Sequence, residues 1–165
     1  MKNVLLVGQF TDISGYGNAV RSYFTNLKNL HDKQLINLSI INYSFEKNST
    51  ISDELLHLIQ EFSVTKSINT LQGNYDKADL KRISNYIENE FVFLMFLTND
   101  FLLQGDSSSE YMKTNHGTLN FQKIVDKSTA TVPCVVWETD KPPRVDRDWE
   151  TSETQTRFLC NCLFF

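Results

Sequence analysis

The stretch KNVLLVG (residues 2–8) decides the fold class of this 165-residue chain, because it is a short apolar run that ends at a glycine. Such a run is typical of a strand that is buried on both faces of a parallel sheet. A loop of small and turn-forming residues follows, QFTDISGYGN (residues 9–18), and LINLSIINY (residues 35–43) predicts a second strand. The helix predicted between them has an apolar stripe made of Val20, Tyr23, Phe24, Leu27 and Leu30. The unit therefore predicts two parallel strands joined by a crossover helix.

Strand and helix patterns alternate along the rest of the chain, which predicts an α/β fold: a Rossmann-like three-layer sandwich with a mainly parallel sheet. The predicted elements are a helix capped by Ser52 and ending at Phe62, a weak strand over Phe62–Ile68, a helix over Asp79–Glu90, a central buried strand over Phe91–Leu97, helical turns over Phe121–Asp126 and a strand over Thr131–Trp137. Because proline lacks an N–H group, Pro133 is expected at the start of its strand or on a sheet edge.

The composition argues against nucleic acid and membranes as binding partners. The chain has 16 basic and 20 acidic residues and a net charge of −4, so no broad cationic surface favours nucleic acid. No apolar run approaches the length of a membrane span. The three cysteines follow no disulfide framework, which indicates a reducing compartment. We therefore expect a cytoplasmic protein without a membrane span.

The glycine-rich loop before the first helix, Ser14-Gly15-Tyr16-Gly17-Asn18, is one candidate binding site. Glycine allows a ligand to approach the backbone closely, and the free N–H groups at a helix start favour phosphate or another anion. Arg21 would add a cation one turn into the helix. The spacing matches neither the dinucleotide fingerprint nor the P-loop, and a tight turn without a ligand explains the same residues.

A second candidate follows the last predicted strand, in Trp137-Glu138-Thr139-Asp140. Two carboxylates there lie at the end where open α/β sheets bind their ligands. An acidic group can accept hydrogen bonds from sugar hydroxyls or act as a base, and tryptophan offers an apolar face to a ring. The alternative is a loop with solvated charges beside a core tryptophan.

Taken together, Gly15-Tyr16-Gly17-Asn18-Ala19-x-Arg21 and Val136-Trp137-Glu138-Thr139-Asp140 followed by Pro142 resemble the amino-terminal domain of family 4 (group 1) glycosyltransferases. Enzymes of that family have the GT-B architecture, in which two Rossmann-like domains face each other across a cleft. The resemblance covers residues 1–143 and implies that this chain is the amino-terminal half of such an architecture. It implies transfer of a sugar from a nucleotide-sugar donor to a glycan or other acceptor.

The resemblance also implies roles for individual residues. It assigns the donor-phosphate and cleft loop to Gly15, Tyr16, Gly17, Asn18 and Arg21. It assigns the acceptor side to Asn99, Asp100, Trp137, Glu138 and Asp140. No catalytic residue, metal or cofactor is implied, since the nucleotide-sugar is a substrate.

The family's carboxy-terminal domain, which holds most of the nucleotide-sugar site, has no counterpart in this sequence. Residues 144–165 lose the expected register, so we expect a truncated or frame-shifted reading frame with a divergent tail that is non-native or disordered. The partners expected are a nucleotide-sugar, a glycan acceptor, and either a separate carboxy-terminal domain or a second copy of the chain. Whether the chain alone is an enzyme stays open, and the alternative is a non-catalytic glycan-binding or partner-dependent half-enzyme.

A dinucleotide-dependent enzyme is a further alternative from the glycine loop. Such enzymes carry an acidic residue at the end of the second strand to bind the ribose. This chain offers Asn42 and Tyr43 at that position, with Glu46 slightly later.

Overall fold

A computed structural model of the chain describes residues 1–13, 15–43, 51–68, 74–96 and 119–133. These ranges contain four strands and four helices. In chain order they are β1 (Lys2–Gly8), α1 (Gly15–Asp32), β2 (Ile36–Asn42), α2 (Asp53–Phe62), α3 (Lys77–Tyr86), β3 (Val92–Phe96), α4 (Phe121–Lys127) and β4 (Ala130–Pro133).

The four strands form one sheet in the order β2-β1-β3-β4, and every neighbouring pair is parallel. The predicted α/β class with a parallel sheet is confirmed, and the strand order is consistent with a Rossmann-like fold. Among the described strands, β4 lies at the outside of this order and pairs only with β3, so the expected edge position of Pro133 holds for the described part of the sheet.

The direction in which strands are added reverses at β1, which lies between β2 and β3. Gly8 at the end of β1 pairs with Asn42 on one side and with Phe96 on the other. In open parallel sheets, ligands bind outside the carboxyl ends of the strands at such a reversal. A ligand-binding site is therefore expected at the loop that follows β1.

The two faces of the sheet carry separate apolar cores, because side chains of a strand alternate between faces. Val4 and Leu6 of β1 pack with residues of α1 and α2, among them Val20, Phe24 and Ile59. The other core, which we call the α3–α4 core, comprises Leu5, Val7, Ile41, Tyr43, Tyr75, Ile83, Ile87, Phe91, Phe93, Leu119, Phe121 and Ile124.

The helix α1 buries a narrower stripe than its sequence predicts. Val20 and Phe24 are buried and Leu27 is half-buried, as expected. Tyr23 and Leu30 are 48% and 39% exposed, so their assignment to the core stripe was wrong. Both lie at the margin of the stripe, where a helix turns away from a flat sheet surface.

Side-chain caps set the starts of α2, α3 and α4, and in α4 the cap is Asn120, which accepts from the amide of Lys123. Ser52 accepts a hydrogen bond from the amide of Leu55, which confirms the predicted cap of α2. Asp76 accepts one from the amide of Asp79, so α3 begins at Lys77, two residues before the predicted start. The same helix ends at Tyr86 rather than near residue 90, and the Asn89 side chain donates to the carbonyls of Asn85 and Tyr86 in the turn beyond it.

The strand predicted over Phe62–Ile68 is reduced to one bridge, between Ser63 and Ile40 on the outer side of β2. The Ser63 hydroxyl accepts from the amide of Thr65 at 3.2 Å, which removes that amide from a ladder. The next two amides, of Lys66 and Ser67, donate to the carboxylate of Asp79 at 2.8 and 3.0 Å. Two side-chain acceptors, the nearby Ser63 and the distant Asp79, therefore take the amides that a strand would use.

The carboxylate of Asp79 is 1% exposed and also accepts from Arg82 Nη1 at 2.6 Å. Burial alone would raise its pKa, but the amides of Lys66 and Ser67 and the Arg82 guanidinium outweigh burial and hold the pKa below its ordinary value. A carboxyl whose pKa is lowered on folding stabilises the fold above its unfolded pKa, near 3.8, and that contribution is lost as the pH falls through the folded value.

Replacement Asp79→Asn should lower the free energy of unfolding at pH 7 by about 1–3 kcal/mol, because one amide oxygen cannot serve both amides. The difference from the wild type should shrink as the pH falls below about 4. Urea denaturation across pH measures both. The control is Glu88→Gln, which removes an exposed pair with Lys127 and should change little. A difference that persists undiminished at low pH would contradict the assignment.

Candidate functional site

The loop after β1 and the start of α1 form the candidate site. Helix α1 begins at Gly15, so its amino-terminal end, which is the positive end of the helix dipole, follows the carboxyl end of β1. The first turn of α1 contains no acidic residue. The positive end of the helix dipole is therefore not offset by a side chain of that turn, which favours an anion there.

Gly15 and Gly17 lie in the first turn of α1, so the loop predicted over residues 9–18 ends before Gly15, and the two glycines differ in what surrounds them. A Cβ atom added to Gly17 would lie 1.9 Å from the carbonyl oxygen of Asp12, a distance that no side chain tolerates. A Cβ atom added to Gly15 would meet nothing within 4 Å. Gly17 is thus required for the helix to pack against the loop, whereas open space lies beside Gly15.

Arg21 holds the loop after β1 in place by hydrogen bonds to its carbonyl groups. Its Nη1 donates to the carbonyl oxygens of Phe10 and Asp12 at 2.8 and 2.7 Å, and its Nη2 donates to Asn18 Oδ1 at 2.5 Å. Both hydrogens of Nη1 are therefore used within the loop. The role of Arg21 as a cation for a ligand stays a prediction, and its contacts show that it holds the loop carbonyls.

Asn42, the last residue of β2, connects the site to the rest of the fold. Its side chain is fully buried, and Oδ1 accepts from the amides of Phe10 and Thr11 at 2.9 and 3.4 Å. Its Nδ2 donates to Thr11 Oγ1 at 3.0 Å and to the carbonyl of Ile68. One carboxamide thus satisfies all four of its hydrogen-bonding positions and sets the path of the loop.

Tyr75 closes the same network from the α3 side. Its hydroxyl donates to the backbone carbonyl of Asn42. Burial, with a smaller effect of the Asp79 charge, raises the pKa of Tyr75 above its ordinary value, so the hydroxyl remains a donor through the physiological range.

The position of Asn42 disfavours the dinucleotide alternative. A dinucleotide enzyme presents an acidic side chain there to the ribose hydroxyls. Here the side chain at the end of β2 is an amide that is fully buried and hydrogen-bonded within the chain.

The structure brings part of the predicted site together. Gly15, Gly17, Asn18 and Arg21 lie in the first two turns of α1, beside the loop after β1. Tyr16 belongs to the same helix, and its side chain lies outside the described part of the chain. The predicted acceptor-side residues, Asn99, Asp100, Trp137, Glu138 and Asp140, all lie outside the described residues.

Sequence reasoning missed two residues at this edge. The sequence pattern offers Asn42 only as a ribose ligand, although an amide that ends an otherwise apolar strand is a signal for a buried polar contact. Gln9 lies in the predicted loop after β1, but a polar loop residue is expected to be exposed and its side chain is only 2% exposed.

Comparison with protein-family models, curated proteins and solved structures finds no match to this chain. Within the ranges that the structure describes, no three histidine, cysteine, aspartate or glutamate side chains are grouped so as to hold a metal ion. None of the helices in those same ranges is long and apolar enough to cross a bilayer.

Gly17→Ala should destabilise the protein by about 1–3 kcal/mol, since the new methyl group displaces either the loop or the helix. Gly15→Ala is the matched control, and its free energy of unfolding should stay within about 1 kcal/mol of the wild type or rise. Chemical denaturation followed by circular dichroism compares the two. Equal effects at both positions would contradict the different roles assigned to them.

Asn42→Ala should cost roughly 2–4 kcal/mol, because it leaves buried amides of the loop without an acceptor. Asn37, an exposed residue of the same strand whose side chain bonds only at the surface with Asn3, supplies the control. Asn37→Ala should change the free energy of unfolding by less than about 0.5 kcal/mol. Hydrogen exchange at the amides of Phe10 and Thr11 should accelerate in Asn42→Ala alone, and unchanged exchange would refute the network.

Proposed function

We propose that this chain supplies the acceptor-side domain of a glycosyltransferase, which transfers a sugar from a nucleotide-sugar donor to a glycan or other acceptor. The observation that carries the proposal is the opening of α1 at Gly15, beside open space, at the edge where the strand order reverses. The finer fold assignment, a three-layer half of a GT-B architecture, is part of the same proposal.

The chemistry of the loop suits a diphosphate. Backbone amides at the start of α1, with no acidic residue in the first turn, favour a negatively charged group. In glycosyl transfer the diphosphate leaves with growing negative charge, and fixed N–H donors stabilise that charge without reorganising. The chain's own contribution to the reaction is therefore positioning and electrostatic stabilisation.

The acceptor side of the proposal depends on polar and aromatic side chains suited to sugars. Asn99, Asp100, Glu138 and Asp140 would accept or donate hydrogen bonds to hydroxyl groups, and Trp137 would pack against a sugar ring. No cofactor is needed in this scheme. Because nucleotide-sugars are cytoplasmic metabolites, we place the protein in the cytoplasm, together with a carboxy-terminal domain or a second copy of the chain.

A pair of substitutions at Gly15 tests the phosphate loop. Gly15→Asp should weaken binding of uridine and guanosine diphosphates at least tenfold, because it places a negative charge beside the helix start. It should leave the fold intact, since the position is open and an acid suits a helix N-terminus. Gly15→Ala is the neutral control. Isothermal titration measures binding, and no affinity of the wild type for any nucleoside diphosphate would contradict the phosphate role.

A glycan array and a transfer assay test the acceptor side. We expect the fluorescently labelled wild type to bind a defined class of arrayed oligosaccharides. Radiolabelled nucleotide-sugars then distinguish transfer from binding alone, since transfer by this chain would exclude the non-catalytic alternative. A blank array would refute the acceptor-side assignment.

A further inference from the structure

Gln9, in the loop after β1, carries a hydrogen-bond donor without a partner in the described structure. The side chain is 2% exposed, and within the described ranges its Nε2 has no hydrogen-bond partner. Buried polar side chains in folded proteins are almost always hydrogen-bonded, so an unpaired buried amide requires an explanation. The other carboxamide of this edge, Asn42, has all its positions satisfied.

The location of Gln9 supplies the explanation. It directly follows Gly8, the residue of β1 that pairs with both neighbouring strands at the reversal of strand order. Phe10 packs in the core with α1 and α2, whereas Val7 belongs to the α3–α4 core. Gln9 therefore lies at the carboxyl edge of the sheet, in the loop that leads to α1.

An unpaired buried donor at Gln9 costs free energy as long as no ligand is bound. An unpaired N–H group in a buried position loses its hydrogen bonds to water and gains none in return. Leucine or methionine at position 9 would fill the same volume without that cost. The acceptor atom of a bound ligand would supply the hydrogen bond that this donor lacks.

We propose that Gln9 is a ligand-binding residue whose Nε2 donates a hydrogen bond to a hydroxyl oxygen of a bound sugar. This identification of the ligand rests on the proposed function. A neutral amide suits a neutral hydroxyl, while the amides at the start of α1 serve the negative charge. Gln9 would thus distinguish acceptor sugars by the position of one hydroxyl group, because a site that pairs with a hydroxyl discriminates strongly against a ligand that lacks it.

The substitution Gln9→Met separates this role from a structural one. Methionine is unbranched and similar in size, and it removes the unpaired donor. The denaturation midpoint of Gln9→Met should be equal to or higher than that of the wild type, because the Nε2 donor that it removes makes no internal hydrogen bond. Gln60→Met, at an exposed position of α2, controls for the change of residue type. A midpoint lowered as far as that of Asn42→Ala would show an internal partner and overturn the proposal.

Binding gives the second measurement. On the glycan array, Gln9→Met should weaken the signals that the wild type gives by about three- to tenfold, the effect of one neutral hydrogen bond. Titration with uridine diphosphate should give the same affinity as the wild type. Unchanged glycan signals in Gln9→Met would overturn the proposal.

A wild-type protein that binds no arrayed glycan would refute the proposed function and the sugar as the occupant of this position. The denaturation midpoint of Gln9→Met would still show whether the donor is unused within the fold. The failure of the Gln9 assignment and the failure of the proposed function are therefore distinguishable.

Discussion

The carboxamide of Asn42 is the interaction on which the candidate site depends. It holds the amides of Phe10 and Thr11 at the end of β2, and so fixes the loop after β1 in one path. Once that path is set, the carbonyls of Phe10 and Asp12 face Arg21, and the Asp12 carbonyl lies against Gly17. The start of α1 is thereby placed at the sheet edge. A contact between residues 32 positions apart in the chain thus positions the helix start that the proposed function requires.

Much of the fold follows from local patterns. Short apolar runs predict β1 and β3, and Ser52 predicts the start of α2, because strand burial and helix capping depend on neighbouring residues. The predicted strand over residues 62–68 fails because a distant side chain competes for its backbone amides. Asp79 takes the amides of Lys66 and Ser67, and this removes a strand that the sequence of residues 62–68 weakly favours. No local pattern reveals that competition.

The site was partly predictable for the same reason. Glycines before a helix indicate a close approach of backbone, and the structure places Gly15 and Gly17 at the expected edge. Their opposite roles were not predictable, since both are glycine and only the distance to the Asp12 carbonyl separates them. Arg21 illustrates the same limit: its charge suggested a ligand, whereas its contacts include the loop carbonyls. The residue type shows which ligands a side chain can bind, but only the contacts show whether its hydrogen bonds are already made within the fold.

This distinction separates residues that the fold needs from residues that it does not. Asn42 and Gly17 are explained by internal contacts, and a chain with no ligand would still require them. Gly15 has open space beside it, and Gln9 buries a donor that the described fold does not use. A strand order that reverses at β1 brings both kinds of residue to the same edge of the sheet. Because stability alone explains neither the bare backbone at position 15 nor the buried amide at position 9, these two residues are the strongest structural argument that the loop binds a ligand.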